Sequence, residues 1–410
     1  MRNGCALLLT LAAALAADAA DDPQAAGGPA PAARLGEAYG QVIAERGRPA
    51  SEMAAGSVRI LYYPDATLKL RDNVVVEVKA SASSASAPPA SPAAADAAPG
   101  AMVFSKDPVE LEIDGFEKIV LGRLEGGRFG ELEALSAHII KERSLFADGS
   151  WKILRFHEAL EAPGGADENW SAREAEIVKW EAQFPASITA RTVHIGFLAA
   201  YARRVWDPAS AAAAKGIAGS AYAERLTQAA GLYQSARSFD EKSPMLWLEG
   251  QKVALLQGWP AKDVLADFYE AKRAEPGFWH YDGQVAVFLL PKWYGKDGDW
   301  ERLAEAEIQR GDGLGVEGYA RTVFEMSGQY KNIFKESRAG WALVKEGYGV
   351  MVQGYPASRM LLNQFALLAV LAEDRPEARE AFKAMKGEAD PFVWRTRSAS
   401  EFQEWAGRGP

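Results

Sequence analysis

Residues 244–277 read PMLWLEGQKVALLQGWPAKDVLADFYEAKRAEPG, a 34-residue stretch holding two helical segments that open at Pro244 and Pro260. Proline suits the first turn of a helix, where its missing N–H costs no hydrogen bond. The second segment carries Phe268, Ala271 and Pro276, the tetratricopeptide order of an aromatic, a small residue three positions on, and a closing proline. Leu361 to Met385 repeats the device, with Ala366, Ala378 and Phe382 at matching offsets. Small residues let two helices cross closely, and an aromatic fills the space where the next pair stacks. The match is partial. The first helix of 244–277 lacks the glycine and tyrosine of the pattern, and residues 277–300 are irregular. The expected fold is mostly α: an α-solenoid-like array of divergent helical hairpins, tetratricopeptide-like, preceded by a small N-terminal β element.

On either side of this stretch the same logic holds. Val193, Phe197, Tyr201 and Val205 recur every four residues, and Tyr222, Leu226, Ala229, Tyr233 and Ala236 form a second such face. Asp299 is placed to cap a helix beginning at Trp300, and Pro356 to open a later one. Ile119 to Arg143 is helical in pattern, with an interruption at Gly126-Gly127. Every one of the twelve tryptophans lies at or after Trp151, so the large aromatic core belongs to the C-terminal two-thirds. These signals bound a helical domain at 116–390 and leave 391–410 as a C-terminal tail.

Upstream the pattern changes. Val58 to Tyr62, Thr67 to Leu70 and Val74 to Val78 are short β-favouring runs, and Val109 to Ile113 alternates apolar and acidic residues as a half-buried strand does. They define a β element over 56–115, interrupted at 80–100 by Ala, Ser and Pro broken only by Asp96 and Gly100. No apolar face can form from that composition, so it reads as a disordered linker. Residues 20–55 read as a poorly ordered segment. Residues 1–19 have the form of a signal peptide: Arg2, an apolar run from Ala6 to Ala17, and small residues at Ala17 and Ala19. Cys5 precedes the run, which argues against a lipid anchor, and its loss on cleavage would leave a mature chain without cysteine. No later stretch approaches the length of a membrane span. The expectation is an exported protein, periplasmic or extracellular, with no transmembrane span in the mature chain.

Four phrases in order resemble a bacterial family known only as domain of unknown function 4034. They are Asp148-Gly149-Ser150-Trp151-Lys152, Trp180 with Phe184-Pro185-Ala186-Ser187, Leu289-Leu290-Pro291-Lys292-Trp293-Tyr294-Gly295, and Asn363 with Phe365-Ala366. The resemblance spans roughly residues 116–388, about two-thirds of the chain. It implies an exported, helix-rich, tetratricopeptide-like bacterial protein, and it implies no reaction. Ala-rich Ala209 to Gly219 departs from the pattern of many relatives.

Composition removes several functions. A net charge of −9 and the absence of any run of five like charges disfavour nucleic acid as a partner. The four histidines, His138, His157, His194 and His280, have none of the short helical spacings of zinc sites. Gly313, Gly315 and Gly318 spell GxGxxG, yet Trp300 to Arg310 before them is an amphipathic helix, so the strand that such a nucleotide loop requires is missing. Asp297-Gly298-Asp299 resembles the start of a calcium loop, but the sixth and twelfth places hold Arg302 and Ile308. No catalytic, metal or cofactor residue is assigned, and no cofactor is expected.

The densest chemistry-capable cluster is Phe278 to Asp282 with Trp293, Tyr294 and Asp297. Trp279, His280, Tyr281, Trp293 and Tyr294 are the candidate partner-binding residues, because aromatic faces beside carboxylates suit a glycan or a peptide. Set against that, the same aromatics would fill the space between stacked hairpins. The functional expectation is a non-enzymatic binding or scaffolding protein of the bacterial cell envelope, its partner an envelope protein, peptide or glycan. The alternative is an all-helical carbohydrate-active hydrolase with paired carboxylates, which would place two acids in one pocket, one with a raised pKa.

Overall fold

The computed structural model describes residues 39–46, 51–80 with short interruptions, 102–205, 208, 211, 220–394 and 397–408. Residues 1–19, 81–100 and most of 209–219, on which the leader, linker and Ala-rich readings fall, lie outside the described residues. The described chain divides into two compact units, one within Ala16–Asp96 and one within Ala97–Pro410.

In the first unit, α1 (Tyr39–Arg46) accompanies a four-stranded antiparallel meander: β1 (Ser51–Ala55), β2 (Val58–Tyr62), β3 (Ala66–Arg71) and β4 (Val74–Ala80). The register sets Leu61 opposite Leu68 and Leu70 opposite Val75. Those four side chains and Val42 of α1 form a small core, as period-two burial requires. β1 and α1 fall inside the segment expected to be poorly ordered. β1 is built of small and polar residues whose strand character comes from pairing along β2.

The second unit is helical: α2 (Pro108–Glu125), α3 (Phe129–Lys141), α4 (Lys152–Glu161), α5 (Asp167–Gln183), α6 (Ile188–Val205), α7 (Ala221–Ala236), α8 (Pro244–Gln257), α9 (Ala261–Ala274), α10 (His280–Phe288), α11 (Asp299–Ile308), α12 (Val316–Ser327), α13 (Ile333–Glu336), α14 (Trp341–Gly354), α15 (Arg359–Leu371), α16 (Arg375–Met385) and α17 (Ala399–Gly407). Among the described residues, no helix is long and apolar enough to cross a membrane. The expected strand at Val109 to Ile113 is the first turn and a half of α2. Asp107 caps it, accepting from the Val109 N–H while Glu110 reaches back to the Asp107 N–H, and Pro108 occupies the first turn. The alternation was deceptive because Val109 and Ile113 also lie four apart and are both buried, whereas Leu111 between them is exposed.

α4, α6, α8, α10, α12 and α14 form a row in which each helix packs on the next, while α5, α7, α9 and α11 lie against the row's members. α8 is buried at every position from Pro244 to Leu256, and α10 along its whole length. Helices that are surrounded in this way are core helices. Pro244 stands in the first turn of α8 as expected, with the Ser243 hydroxyl accepting from the Met245 N–H. Pro260 is instead the N-cap of α9, and Pro356 lies in the turn before α15. Asp299 is the first residue of α11 rather than its cap; the cap is Gly298, with φ at +82°.

The two ends of this unit meet. β5 (Val103–Phe104) pairs in parallel with β6 (Glu388–Ala389), and the Asp107 carboxylate that caps α2 also accepts from the Met360 N–H at 2.8 Å. Residues 391–408 are no loose tail. Trp394 is buried against Phe382, and α17 packs on α16. Asn363 holds the chain there: its Oδ1 accepts from the Asp390 N–H at 2.8 Å and the Trp394 indole at 2.7 Å.

Candidate functional site

The five candidate residues do not share one surface, because α10 separates them. Trp279 and His280 stand at its start, and Trp293 and Tyr294 lie beyond its end. Tyr281 is a core residue whose hydroxyl donates to the Pro244 carbonyl at 3.1 Å. Trp293 is buried, and Tyr294 packs on Phe288 with its hydroxyl facing Gly258, the αL residue that ends α8. The turn needs Gly295, where a Cβ would overlap the Leu289 backbone. These aromatics fasten one helix pair to the next. Only Trp279 reaches an open pocket.

That pocket has a volume of about 380 Å³ and is assembled from four places in the chain. The first wall is the α3–α4 loop. Asp148 is buried there, its Oδ1 accepting from the Ser150 N–H at 2.9 Å and the Ser150 hydroxyl at 2.6 Å. This turn throws Gly149 to φ +79° and presents Trp151, which packs edge-on against Phe278. Gly149 has no room for a side chain: a Cβ would stand 2.5 Å from the Tyr355 ring and 2.6 Å from the Arg321 guanidinium. The second wall is the α9–α10 turn, with Glu275, Pro276, Gly277 and Trp279. Asp312, Leu314 and Glu317, in and just after the Gly-rich turn that opens α12, form the third, and Tyr355 the fourth. The GxGxxG sequence is thus an inter-helix turn, as its context predicted.

Charges around the pocket are paired. The Arg143 guanidinium bridges to Glu275 at 2.9 Å across the rim, and Arg310 holds Asp312 at 3.2 Å. Arg321 donates to Glu317 at 2.9 Å and to the Asp148 carbonyl at 3.3 Å. Its guanidinium lies 5.0 Å from the Trp279 ring centre and 5.4 Å from that of Tyr355, within cation–π range of both.

Next to Trp279 begins a second set of ionisable groups, most of them buried. The His280 ring packs on Trp279, tilted by 35° with centres 3.6 Å apart, and its Nδ1 is 3.8 Å from Glu325 Oε1, too far for a hydrogen bond. Burial pushes the Glu325 carboxyl up to about 8, with the Asp282 charge adding to it and Arg321 opposing. Burial, then the charges of Arg155, Arg321 and Lys252, holds His280 well below the usual histidine range. Further in, Lys252 donates to Glu161 at 3.1 Å and to Glu249 at 2.8 Å. Burial and the Glu161 charge raise Glu249 far above the ordinary carboxylate range. Asp282 is raised by burial although Lys272 sits 2.9 Å away. Two glycines make this possible. A Cβ on Gly283 would overlap the Glu325 carboxylate, and one on Gly196 would overlap that of Glu161.

The other histidines lie apart on α3, α4 and α6. His157 is buried between the Ile153 carbonyl and Thr192, and burial pushes it down to about 3. His194 contacts Glu181 at 2.7 Å. Among the described residues, no group of three or more His, Cys, Asp or Glu side chains is placed to hold a metal ion.

Of the five candidates Trp279 lines this pocket, while Trp151, Glu317 and Tyr355, which line it too, and Arg321 beside them were not among the sequence candidates. One signal was present: the Asp-Gly-Ser-Trp phrase is a local turn whose glycine is required, and that turn forms a pocket wall. No family model, curated protein or solved structure matches the chain.

Proposed function

We propose that this is a non-enzymatic binding protein of the bacterial cell envelope, recognising its partner at the pocket between Trp151, Trp279 and Tyr355. In this reading the row α4 to α14 is the inner ladder of a divergent, tetratricopeptide-like hairpin array that has closed on itself. Recognition is therefore confined to one mouth rather than spread along a groove. The family resemblance and the leader-like N-terminus support export. One observation carries the choice of binding over catalysis: the acids that line the pocket are all engaged in ion pairs. Burial raises the carboxyls of Glu249, Asp282 and Glu325, which are not among the lining residues, while the acids at the mouth, Glu275, Asp312 and Glu317, are each engaged by an arginine. A hydrolase needs an acid of raised pKa within reach of the scissile bond.

The test is capture from an envelope extract by the immobilised full chain, wild type against Trp279→Ala and Tyr355→Ala, with bound material identified by mass spectrometry. Both side chains are half-buried, and the variants are checked for wild-type melting behaviour. Binding that disappears in both variants is the expected result. A bound set unchanged by either variant refutes the assignment.

A further inference from the structure

Accepting that the pocket is a recognition site, its chemistry also selects the class of ligand. We infer that it binds a neutral saccharide, one short terminal or branch unit of a glycan. The volume, about 380 Å³, stands near the lower end of the roughly 300–1,000 Å³ typical of small-ligand sites. It suits a short unit and not a long strand. Trp151, Trp279 and Tyr355 are among the lining residues, and aromatic rings complement the C–H faces of a pyranose.

The polar groups narrow the class by elimination. Each lining acid has an arginine partner: Glu275 with Arg143, Asp312 with Arg310, and Glu317 with Arg321. Each lining acid is thus engaged by a guanidinium, with Arg310 shared between Asp312 and Glu307. Each carboxylate has lone pairs beyond those its arginine uses, and each guanidinium has further N–H groups. The mouth therefore offers acceptors and donors side by side. An ammonium ligand only donates and would confront the guanidinium N–H groups. A phosphate or carboxylate ligand only accepts and would confront Glu275 and Glu317. An apolar ligand would strip water from both without replacing it. A hydroxyl donates and accepts, and a ring carrying several hydroxyls around an apolar face satisfies every surface present.

The experiment is titration calorimetry on the full chain with five probes: maltotriose, cellotriose, tri-N-acetylchitotriose, tri-lysine and tri-glutamate. The expected result is saturable binding of at least one trisaccharide. Its affinity should change little between low and ~0.15 M ionic strength, because no charged pair is screened. Trp279→Ala should weaken it by about tenfold or more. Trp279→Phe, which keeps an aromatic face, should restore most of the loss. Tyr355→Phe guards against a variant that merely misfolds, since it keeps the ring and removes only the hydroxyl, and it should weaken binding a few-fold. Tyr269→Ala, an exposed aromatic on α9 outside the pocket, should leave binding unchanged. Trisaccharide binding that survives Trp279→Ala overturns the placement. If only a charged peptide binds, dependent on Trp279 and on salt, the saccharide class is overturned while the pocket stands. If no probe binds, the saccharide class is also overturned, and the extract capture decides separately whether the pocket binds anything.

Discussion

Gly196 is the position at which the sealed interior is most open to a decisive test. It lies in the middle of α6, where glycine costs about 1 kcal/mol relative to alanine. By helix propensity alone, Gly196→Ala should stabilise the protein. The surroundings reverse the sign. A Cβ there would lie 2.5 Å from the Glu161 Cδ and 2.8 Å from Glu249 Oε2, inside any tolerable contact. Both carboxylates would have to withdraw, and their other oxygens are the ones that hold Lys252 at 3.1 and 2.8 Å. All three side chains are almost wholly buried. Breaking such a buried ion arrangement costs roughly 3–5 kcal/mol. Subtracting the propensity gain leaves a net loss of about 2–4 kcal/mol. For a domain of this size that lowers the melting temperature by roughly 5–15 °C.

The control is the same substitution at Gly231, mid-way along α7, where a Cβ would meet nothing within 4 Å. Gly231→Ala should gain up to about 1 kcal/mol. Thermal and guanidinium unfolding, followed by far-UV circular dichroism at neutral pH, separates the two. If Gly196→Ala is as stable as wild type, or moves in the same direction as Gly231→Ala, the described contact of Glu161 and Glu249 with α6 is wrong.

Three further outcomes follow from the same geometry. The carboxyl of Glu325 titrates near 8 in the folded chain against 4.5 in the unfolded one, so the folded state holds the extra proton between those values and stability falls as pH rises through that window. Glu325→Gln cannot lose a proton, so its melting temperature minus that of wild type should be flat below pH 4.5 and climb towards pH 8; a difference constant with pH refutes it. Asn363→Ala removes four hydrogen bonds, including those to the Asp390 N–H and the Trp394 indole. It should cost about 2–4 kcal/mol and speed amide hydrogen exchange over 390–408 before the rest of the helical unit; uniform exchange would show that the C-terminal segment is not held there. Gly149→Ala places a side chain at φ +79° and against Tyr355 and Arg321, which should destabilise by about 2–3 kcal/mol and abolish pocket binding; a folded variant that binds normally would separate this loop from the site.

How much of this was legible in the chain depends on the range over which each feature is encoded. Helices announced themselves through i, i+4 repeats, and Val193, Phe197 and Tyr201 are indeed buried on α6, although Val205, one turn further, is exposed. The strand expected at Val109 to Ile113 failed because five residues fit both periods. The deciding signal, the Asp107-Pro108-Val109-Glu110 cap, began two residues upstream. The C-terminal segment looked like a tail because what holds it, Asn363, is 27 residues from Asp390. The site was less legible still. An aromatic run beside acids was read as one surface, yet a nine-residue helix divides it. The residues that do converge on Trp279 come from loops and helix ends scattered from Arg143 to Tyr355. Only Gly149 carried a local trace, since a glycine inside a tight Asp-Ser turn signals a backbone that no side chain allows.

The division between sealed and open charges is also what separates the two functional readings. Acids of raised pKa are often taken as a sign of catalysis, and by that rule Glu249, Asp282 and Glu325 would nominate a hydrolase. Their positions oppose it. Each is clasped between neighbouring helices: Glu249 with Lys252 and Glu161 where α8 meets α4 and α6, Asp282 with Lys272 between α10 and α9, and Glu325 against Gly283 between α12 and α10. Burial raised these groups because they join helices, and none of them is among the residues that line the pocket. Trp279 lines the pocket, and His280 packs on it tilted by 35° with ring centres 3.6 Å apart. The groups at the mouth are aromatic side chains and acids paired with arginines, the arrangement on which the proposed binding role rests.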